Sequence, residues 1–302
     1  MWYENDKPLH IVLNDLFNHY REHVKNVDEI TQALIQKGVI EKAEDIENDH
    51  IAFRTLGVPH LGIQSLERIF LAYGYRRMDS FYFPIKKLKA YWYAPPEETY
   101  PRIFASELMV SELSAEAQKI IHKYTDPIST DPVDALDLTD GYAVAKFLQT
   151  PLWEVPTSEE YSTLLKESEY AAWVIFNRYY LNHYTISIHA LLDGYNTLEE
   201  FNDFLEGIGV ELNDSGGKIK VSEDGLLKQS STVSALYPAE FADGKTLEIA
   251  GSYVEFAERK VLPKFKDVPT CEIKREHRRD GFETGNADRI FESTYTSQIY
   301  NK

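Results

Sequence analysis

Between residues 48 and 259 apolar and polar positions alternate in short runs, and the runs come in two sets of the same order. The first run, NDHIAFRT (48–55), has period two. Ile51, Phe53 and Thr55 fall on one face of a predicted strand, and His50, Ala52 and Arg54 on the other. SLERIFLAYGY (65–75) has helical spacing, with Ser65 as its expected N-cap. RRMDSFYF (76–83), KLKAYWYA (87–94) and PRIFASELMV (101–110) return to strand patterning. The predicted order is β-α-β-β-β.

The same order follows further along. NHYTISIHA (182–190) reads as a strand, and TLEEFNDFLEGIG (197–209) as a helix capped by Thr197 with Glu200 placed for a capping box. GKIKVSED (217–224), LLKQSSTVSAL (226–236) and TLEIAGSYVEFAER (246–259) read as three more strands. The repeat is one of pattern, not of residue identity. Laying NDHIAF over LNHYTI matches His50 to His183. Laying FASEL over SYVEFA matches Glu107 to Glu255. The second copy is longer and can hold its excess in loops.

Around these modules the patterning is helical or irregular. Residues 1–45 form a predicted helical cover, with Gly38 as a stop. Residues 46–110 are the first module. Residues 111–178 are an insert in which TDPISTDPVDALDLTD reads as loop and 158–179 as helix. Residues 179–260 are the second module, and 261–302 a charged C-terminal extension ending in a short helix. The expectation is one compact α+β domain, with two βαβββ modules closing a half-open sheet or barrel around a cleft.

Composition narrows the partners. The 302 residues are 43% hydrophobic and carry a formal charge of −17, so the basic face that a nucleic acid requires is missing. Twenty tyrosines and four tryptophans suit broad sheet surfaces. Cys271 is the only cysteine, which excludes an intrachain disulfide and fits a reducing cytoplasm. MWYENDKPLH lacks the apolar core of a secretory leader, and no run is long enough for a membrane span. The oligomeric state is open. No G-x-S-x-G elbow or phosphate loop appears, since SGGKIK lacks the spacing and the following helix. Cys271 has no nearby base in the sequence.

The matched histidines carry the remaining chemistry. A metal with open coordination positions wants two histidines and one carboxylate on one face. His50, His183 and Glu255 supply those types. A histidine at a strand edge is ordinarily a hydrogen-bonded structural group, and it is the matched placement in the repeat that favours a metal. Glu107 becomes a fourth ligand or a partner that orients a histidine. Arg54 lies roughly 13 Å along the strand from His50, a span that a five- or six-carbon dicarboxylate bridges. Its guanidinium forms a fork for a carboxylate, and a salt bridge to one of the many acids is the competing reading. Gln229 and Ser231 are further candidates to bind substrate. His189 reads as structural; His60, His122 and His277 read as surface.

HIAFRTLG, PRIFASEL, KESEYAAWV…NHYTISIH, GSYVEFAER and GFETGNADRIFEST together resemble the 2-oxoadipate dioxygenase/decarboxylase family, related in fold to the vicinal oxygen chelate (glyoxalase/extradiol dioxygenase) proteins. The likeness spans about residues 8–296. It implies an iron(II) enzyme with His50, His183 and Glu255 as ligands and Arg54 on the distal carboxylate of the substrate. The expected reaction takes 2-oxoadipate and O2 to 2-hydroxyglutarate and CO2, in lysine breakdown. The alternative is a zinc or nickel hydrolase, isomerase or lyase on the same fold.

Overall fold

The computed structural model describes residues 3–300; residues 1, 2, 301 and 302, the outer ends of the expected cover and extension, lie outside the described residues. Two helices come first, α1 (Pro8–His23) and α2 (Lys25–Gln36). Pro8 at the first helical turn gives up no hydrogen bond there, and Leu9, Val12, Leu13, Leu16 and Tyr20 make one buried stripe. The first module follows as β1 (Asn48–Leu56), α3 (Ile63–Ala72), β2 (Arg76–Phe83), β3 (Leu88–Ala94) and β4 (Arg102–Leu108). The insert holds α4 (Ala115–Thr125), α5 (Gly141–Gln149), α6 (Ser158–Glu167) and α7 (Glu169–Asn177). The pattern over 158–179 predicts a single helix. Ser168 divides it, because its backbone is extended and its hydroxyl caps α7 through Ala171 N–H.

The second module comprises β5 (His183–Ser187), α8 (Leu198–Gly207), β6 (Lys220–Val221), β7 (Leu227–Ser231), β8 (Leu236–Glu240), β9 (Thr246–Ala250) and β10 (Tyr253–Arg259). The expected strand over 246–259 is two strands. The Gly251 carbonyl is taken by the Trp173 indole at 2.9 Å instead of by a neighbouring strand. β8 and β9 pair only with each other, so the longer copy holds its excess in a hairpin outside the main sheet. Two further helices, α9 (Thr284–Ile290) and α10 (Thr296–Tyr300), end the described chain.

Eight strands form one curled sheet in the order β2-β3-β4-β1-β5-β10-β7-β6. Each module contributes four, and the halves meet where β1 runs antiparallel to β5. β4 lies parallel to β1, and β10 parallel to β5. One face of the sheet, with Ile51, Phe53, Tyr184, Ile186, Val254 and Phe256, packs under α1, α2, α3 and α8. The opposite face is apolar in the first half, where Ala52, Leu56, Trp92 and Phe104 meet α4, α6 and α7. In the second half it turns polar. That face carries the histidines.

Glu107 is not part of that arrangement. Pairing sets Glu107 beside Thr55, on the face under α3. Its carboxylate accepts from Ile63 N–H at 2.7 Å and meets Lys89 Nζ at 2.7 Å. It therefore caps α3, in place of Ser65, whose hydroxyl donates to Asp131 at 2.7 Å. Glycine at 62 makes room for this cap, because a Cβ would lie 2.2 Å from Glu107 Oε2 and push the carboxylate aside. Register supplies the reason for the misplacement. Arg102 stands opposite His50 and Tyr253 opposite His183, so the counterpart of Glu255 is Phe104. An offset of three residues is odd, and an odd offset changes the face. Glu107→Ala is expected to cost about 1–2 kcal/mol of stability and leave metal content unchanged. Metal loss at an unchanged melting temperature would return Glu107 to the site.

Candidate metal centre

His50 on β1, His183 at the start of β5 and Glu255 on β10 lie on adjacent strands, and all three are buried. Pairing brings them together: Ala52 stands opposite His183, and Thr185 opposite both His50 and Glu255. The two Nε2 atoms are 3.3 Å apart. Glu255 Oε2 is 3.0 Å from His183 Nε2, and Oε1 is 3.5 Å from His50 Nε2.

The hydrogen-bond network assigns the tautomers. His50 Nδ1 lies 2.8 Å from Asp49 Oδ2 and His183 Nδ1 lies 3.1 Å from Asn182 Oδ1, so each Nδ1 carries the proton and donates it. Each Nε2 then presents a lone pair to the other and to a carboxylate. The Thr185 hydroxyl also lies 3.1 Å from His50 Nε2, and the three groups, buried and converging, are placed so that they could hold a metal ion. The donor set of two imidazoles and one carboxylate is that of a metal centre with open positions. Without a metal, burial pushes the pKa of Glu255 up, and protonated His50 and His183 outweigh it and hold the carboxylate below its usual range. Burial works to lower the pKa of His50, and Glu255 and Asp49 overcome it and raise it, so a proton on Nε2 takes the place a metal ion would fill. Burial lowers the pKa of His183, which favours the neutral ligand form.

Asp49 anchors His50. Its carboxylate takes a bidentate fork from Arg259, Nε at 2.6 Å and Nη2 at 2.8 Å, and a third guanidinium bond from Arg102 at 3.2 Å. Burial works to raise its pKa, and the two arginines overcome this and hold it well below the carboxylate range. Strict alternation would put Asp49 on the face opposite His50. The β1–β5 register shifts between Asn48 and His50, and this bulge re-aims the Asp49 side chain toward the His50 ring. No periodicity in the sequence marks that event. Phe282 stands edge-on to the same ring at 4.8 Å.

Gln229 lines the cavity, but its amide holds Glu255. Nε2 donates to Glu255 Oε1 at 2.6 Å, and Oε1 accepts from Asn286 at 3.0 Å. Ser231 is away from the cavity lining, its hydroxyl paired with Ser293 at 2.8 Å. His189 is structural as expected: its Nδ1 accepts from Arg259 N–H, and burial, followed by Arg278, pushes its pKa down to about 3.

Arg54 lies fully buried on the cavity wall with Ala52, a single methyl group, between it and His50. Nη1 donates to Thr294 Oγ1 at 3.0 Å and Nη2 to the Phe291 carbonyl at 3.1 Å. Its guanidinium lies 5.0, 5.1 and 5.7 Å from the ring centres of Tyr170, Trp173 and Phe291. Among the described residues no carboxylate pairs with it, and its Nε–H is buried without a partner. The Tyr253 hydroxyl, beside Arg54 and Ser293, is a second buried donor without a partner in bonding geometry. Burial raises the pKa of Tyr253, so it stays a donor. Sequence reasoning missed Asp49, Asn182, Tyr253 and Asn286. All four lie inside quoted motifs, Asp49 in NDHIAFRT, Asn182 in NHYTISIH, Tyr253 in GSYVEFAER and Asn286 in GFETGNADRIFEST, and the last segment closes the cavity with Phe282, Ile290 and Phe291.

The profile of the 2-oxoadipate dioxygenase/decarboxylase family matches residues 12–268. The chain belongs to this family. A 2-oxoadipate dioxygenase/decarboxylase of Arabidopsis thaliana, named as chloroplastic, is 46% identical over 279 residues, covering 87% of this chain and 73% of the relative. The crystal structure of a hydroxyglutarate synthase from Oryza sativa in complex with 2-oxoadipate matches with TM-score 0.87 and 40% identity, covering 99% of this chain and 96% of that one. A glyoxalase superfamily protein from Ralstonia eutropha JMP134 matches with TM-score 0.69 at 22% identity over 92% of this chain and 88% of that one, which shows a shared fold. The family thus coincides with the curled sheet and with the buried triad on it.

Proposed function

We propose that this member of the family is an iron(II)-dependent enzyme that converts 2-oxoadipate and O2 into 2-hydroxyglutarate and CO2. One observation carries the reading: a buried two-histidine, one-carboxylate set shares a cavity with an arginine that no acid neutralises. The atoms balance, since six carbons and O2 become a five-carbon hydroxy diacid and CO2. Iron(II) held by His50, His183 and Glu255 would supply chelation of the 2-oxo acid and activation of dioxygen.

The chain's own residues do the rest. Asp49 and Asn182 fix the imidazoles with Nε2 facing inward, and Gln229 fixes the carboxylate of Glu255. Ala52 puts only a methyl group between the metal end and Arg54. Arg54 Nε and the Tyr253 hydroxyl together offer two unused donors to the distal carboxylate, and the pair makes chain length a matter of distance from the triad. Phe104, Phe282 and Phe291 exclude water from the reacting end. The cavity measures about 20 Å³, room for roughly one water. Admitting a diacid therefore requires side chains of the lining to move.

No helix among the described residues is long and apolar enough to cross a membrane. A cytoplasmic location stays part of the proposal, on the strength of the single, exposed Cys271. The test is anaerobic iron loading followed by oxygen uptake over a panel of 2-oxo acids. One O2 consumed and one CO2 and one 2-hydroxyglutarate formed per 2-oxoadipate is the expected result. Turnover that runs on zinc or nickel without oxygen would sink it.

A further inference from the structure

A second cavity, of about 570 Å³, lies on the far side of Asp49 from the triad. Its floor is Asp49, Arg102, Arg259 and His189, and one wall is Lys274, Arg275 and Arg278 from the C-terminal extension. Arg259 is fully engaged by Asp49 and by the carbonyls of Arg279 and Gly281. The other guanidiniums are not. Arg102 gives Nη1 to Asp49 and Nε to Asp280, and its Nη2 is buried without a partner. Arg275 gives Nη1 to the carbonyls of Glu98 and Tyr100, and its Nη2 is also buried without a partner. Arg278 donates to the Arg259 carbonyl. Among the described residues no carboxylate reaches ion-pair distance of Arg275 or Arg278.

Asp49 and Asp280 balance the two arginines of the floor, and what is left over is donors without an acceptor, Arg102 Nη2 and Arg275 Nη2, with Arg275 and Arg278 adding charge from the wall. Burial, followed by Arg259 and Arg275, pushes Arg102 down to about 10. Asp49 is the single buried acid on this cavity, and its lone pairs are already taken. Glu44, Asp45, Glu47 and Glu98 also line the cavity, and all four are exposed; Glu98 adjoins Arg275, and Glu47 is the first acid acting on Arg278. Exposed charges are screened beyond about 8 Å at physiological salt, and buried ones much less. A small anion at the floor thus meets buried guanidinium donors, and the exposed carboxylates act on it through screening solvent.

We propose that this cavity is an anion site separate from the metal centre, binding a small carboxylate or phosphate through Arg102, Arg275 and Arg278. The ligand accepts from the two unused Nη2 groups, which are covered in the empty cavity and turn toward it on binding, and lies along the Arg278 side. The Asp49 carboxylate and the His50 ring stand between it and the triad.

The test is calorimetric titration of the anaerobic, iron-loaded protein with inorganic phosphate and, separately, with glutarate. The glutarate titration uses the Arg54→Met variant, to silence the metal cavity. Saturable binding of one equivalent is expected. Arg275→Ala with Arg278→Ala should weaken it about tenfold or more, and Glu47→Gln with Glu98→Gln should strengthen it about threefold. The second pair guards against loss by misfolding, because a damaged fold does not bind more tightly. Tighter phosphate points to a phosphorylated ligand, and tighter glutarate to a dicarboxylate. No saturable binding of either probe up to about 10 mM, or affinities that ignore both pairs of substitutions, would overturn the proposal.

Discussion

Asp49→Asn is expected to lower stability by about 3–5 kcal/mol and iron affinity by roughly 10- to 100-fold. The first effect follows from charge. Asp49 is the buried counter-ion of Arg259 and Arg102. Asparagine is close in shape but leaves buried Arg259 without its anion and Arg102 with only the exposed Asp280, and breaking a buried pair from one side is the costly way to break it. The second effect follows from the tautomer. The carboxylate can only accept, so it keeps the proton on His50 Nδ1 and the lone pair on Nε2. An amide can also donate, which releases that constraint. Thermal melting of the metal-free and iron-loaded protein, with iron stoichiometry by elemental analysis, checks both. A variant that melts within a degree or two of the parent and binds a full equivalent of iron would refute the anchoring role.

Arg54→Met is expected to separate binding from folding in the other direction. The Arg54 charge is buried without an acid, and its compensation is three aromatic faces and two hydrogen bonds to the C-terminal segment. Cation–π contacts contribute about 2 kcal/mol at a desolvated site, less than burying an unpaired charge costs. An apolar side chain of similar length should leave stability unchanged or raise it. Loss of a buried partner of the distal carboxylate, by contrast, costs about 2–5 kcal/mol, or roughly 30- to several-thousand-fold in 2-oxoadipate affinity. Iron affinity should stay put. Tyr253→Phe should show the same split on a smaller scale, about 10- to 100-fold for one hydrogen bond to a charged group, in KM more than in kcat. Equal loss of iron and substrate in Arg54→Met would mean that the arginine shapes the cavity instead of gripping a carboxylate.

Much of this was open to a reader of the sequence. Period-two alternation in NDHIAFRT put His50, Ala52 and Arg54 on one face, and that is where they are. The repeat of β-α-β-β-β order paired His50 with His183, and those histidines occupy matching places on the two central strands. The residues that complete the centre were less legible. Asp49 reaches His50 only because a bulge breaks the alternation. Glu107 went to the wrong face because the repeat was aligned by residue type, while β4 and β10 are set by their pairing to β1 and β5. Gln229 and Ser231 looked alike as polar residues on one strand, yet one holds Glu255 and the other holds Ser293.

The sequence by itself determined the alternating strands, the twofold order of the modules, and through them three ligand types and one arginine. Those are local properties, written within a few residues of each side chain. Tertiary structure alone decided the register, the bulge at Asp49, and the closing of the cavity by residues 282–294. Each of these depends on which distant strand or segment supplies the next hydrogen bond, and nothing within a few residues of Asp49 or Glu107 encodes that partner.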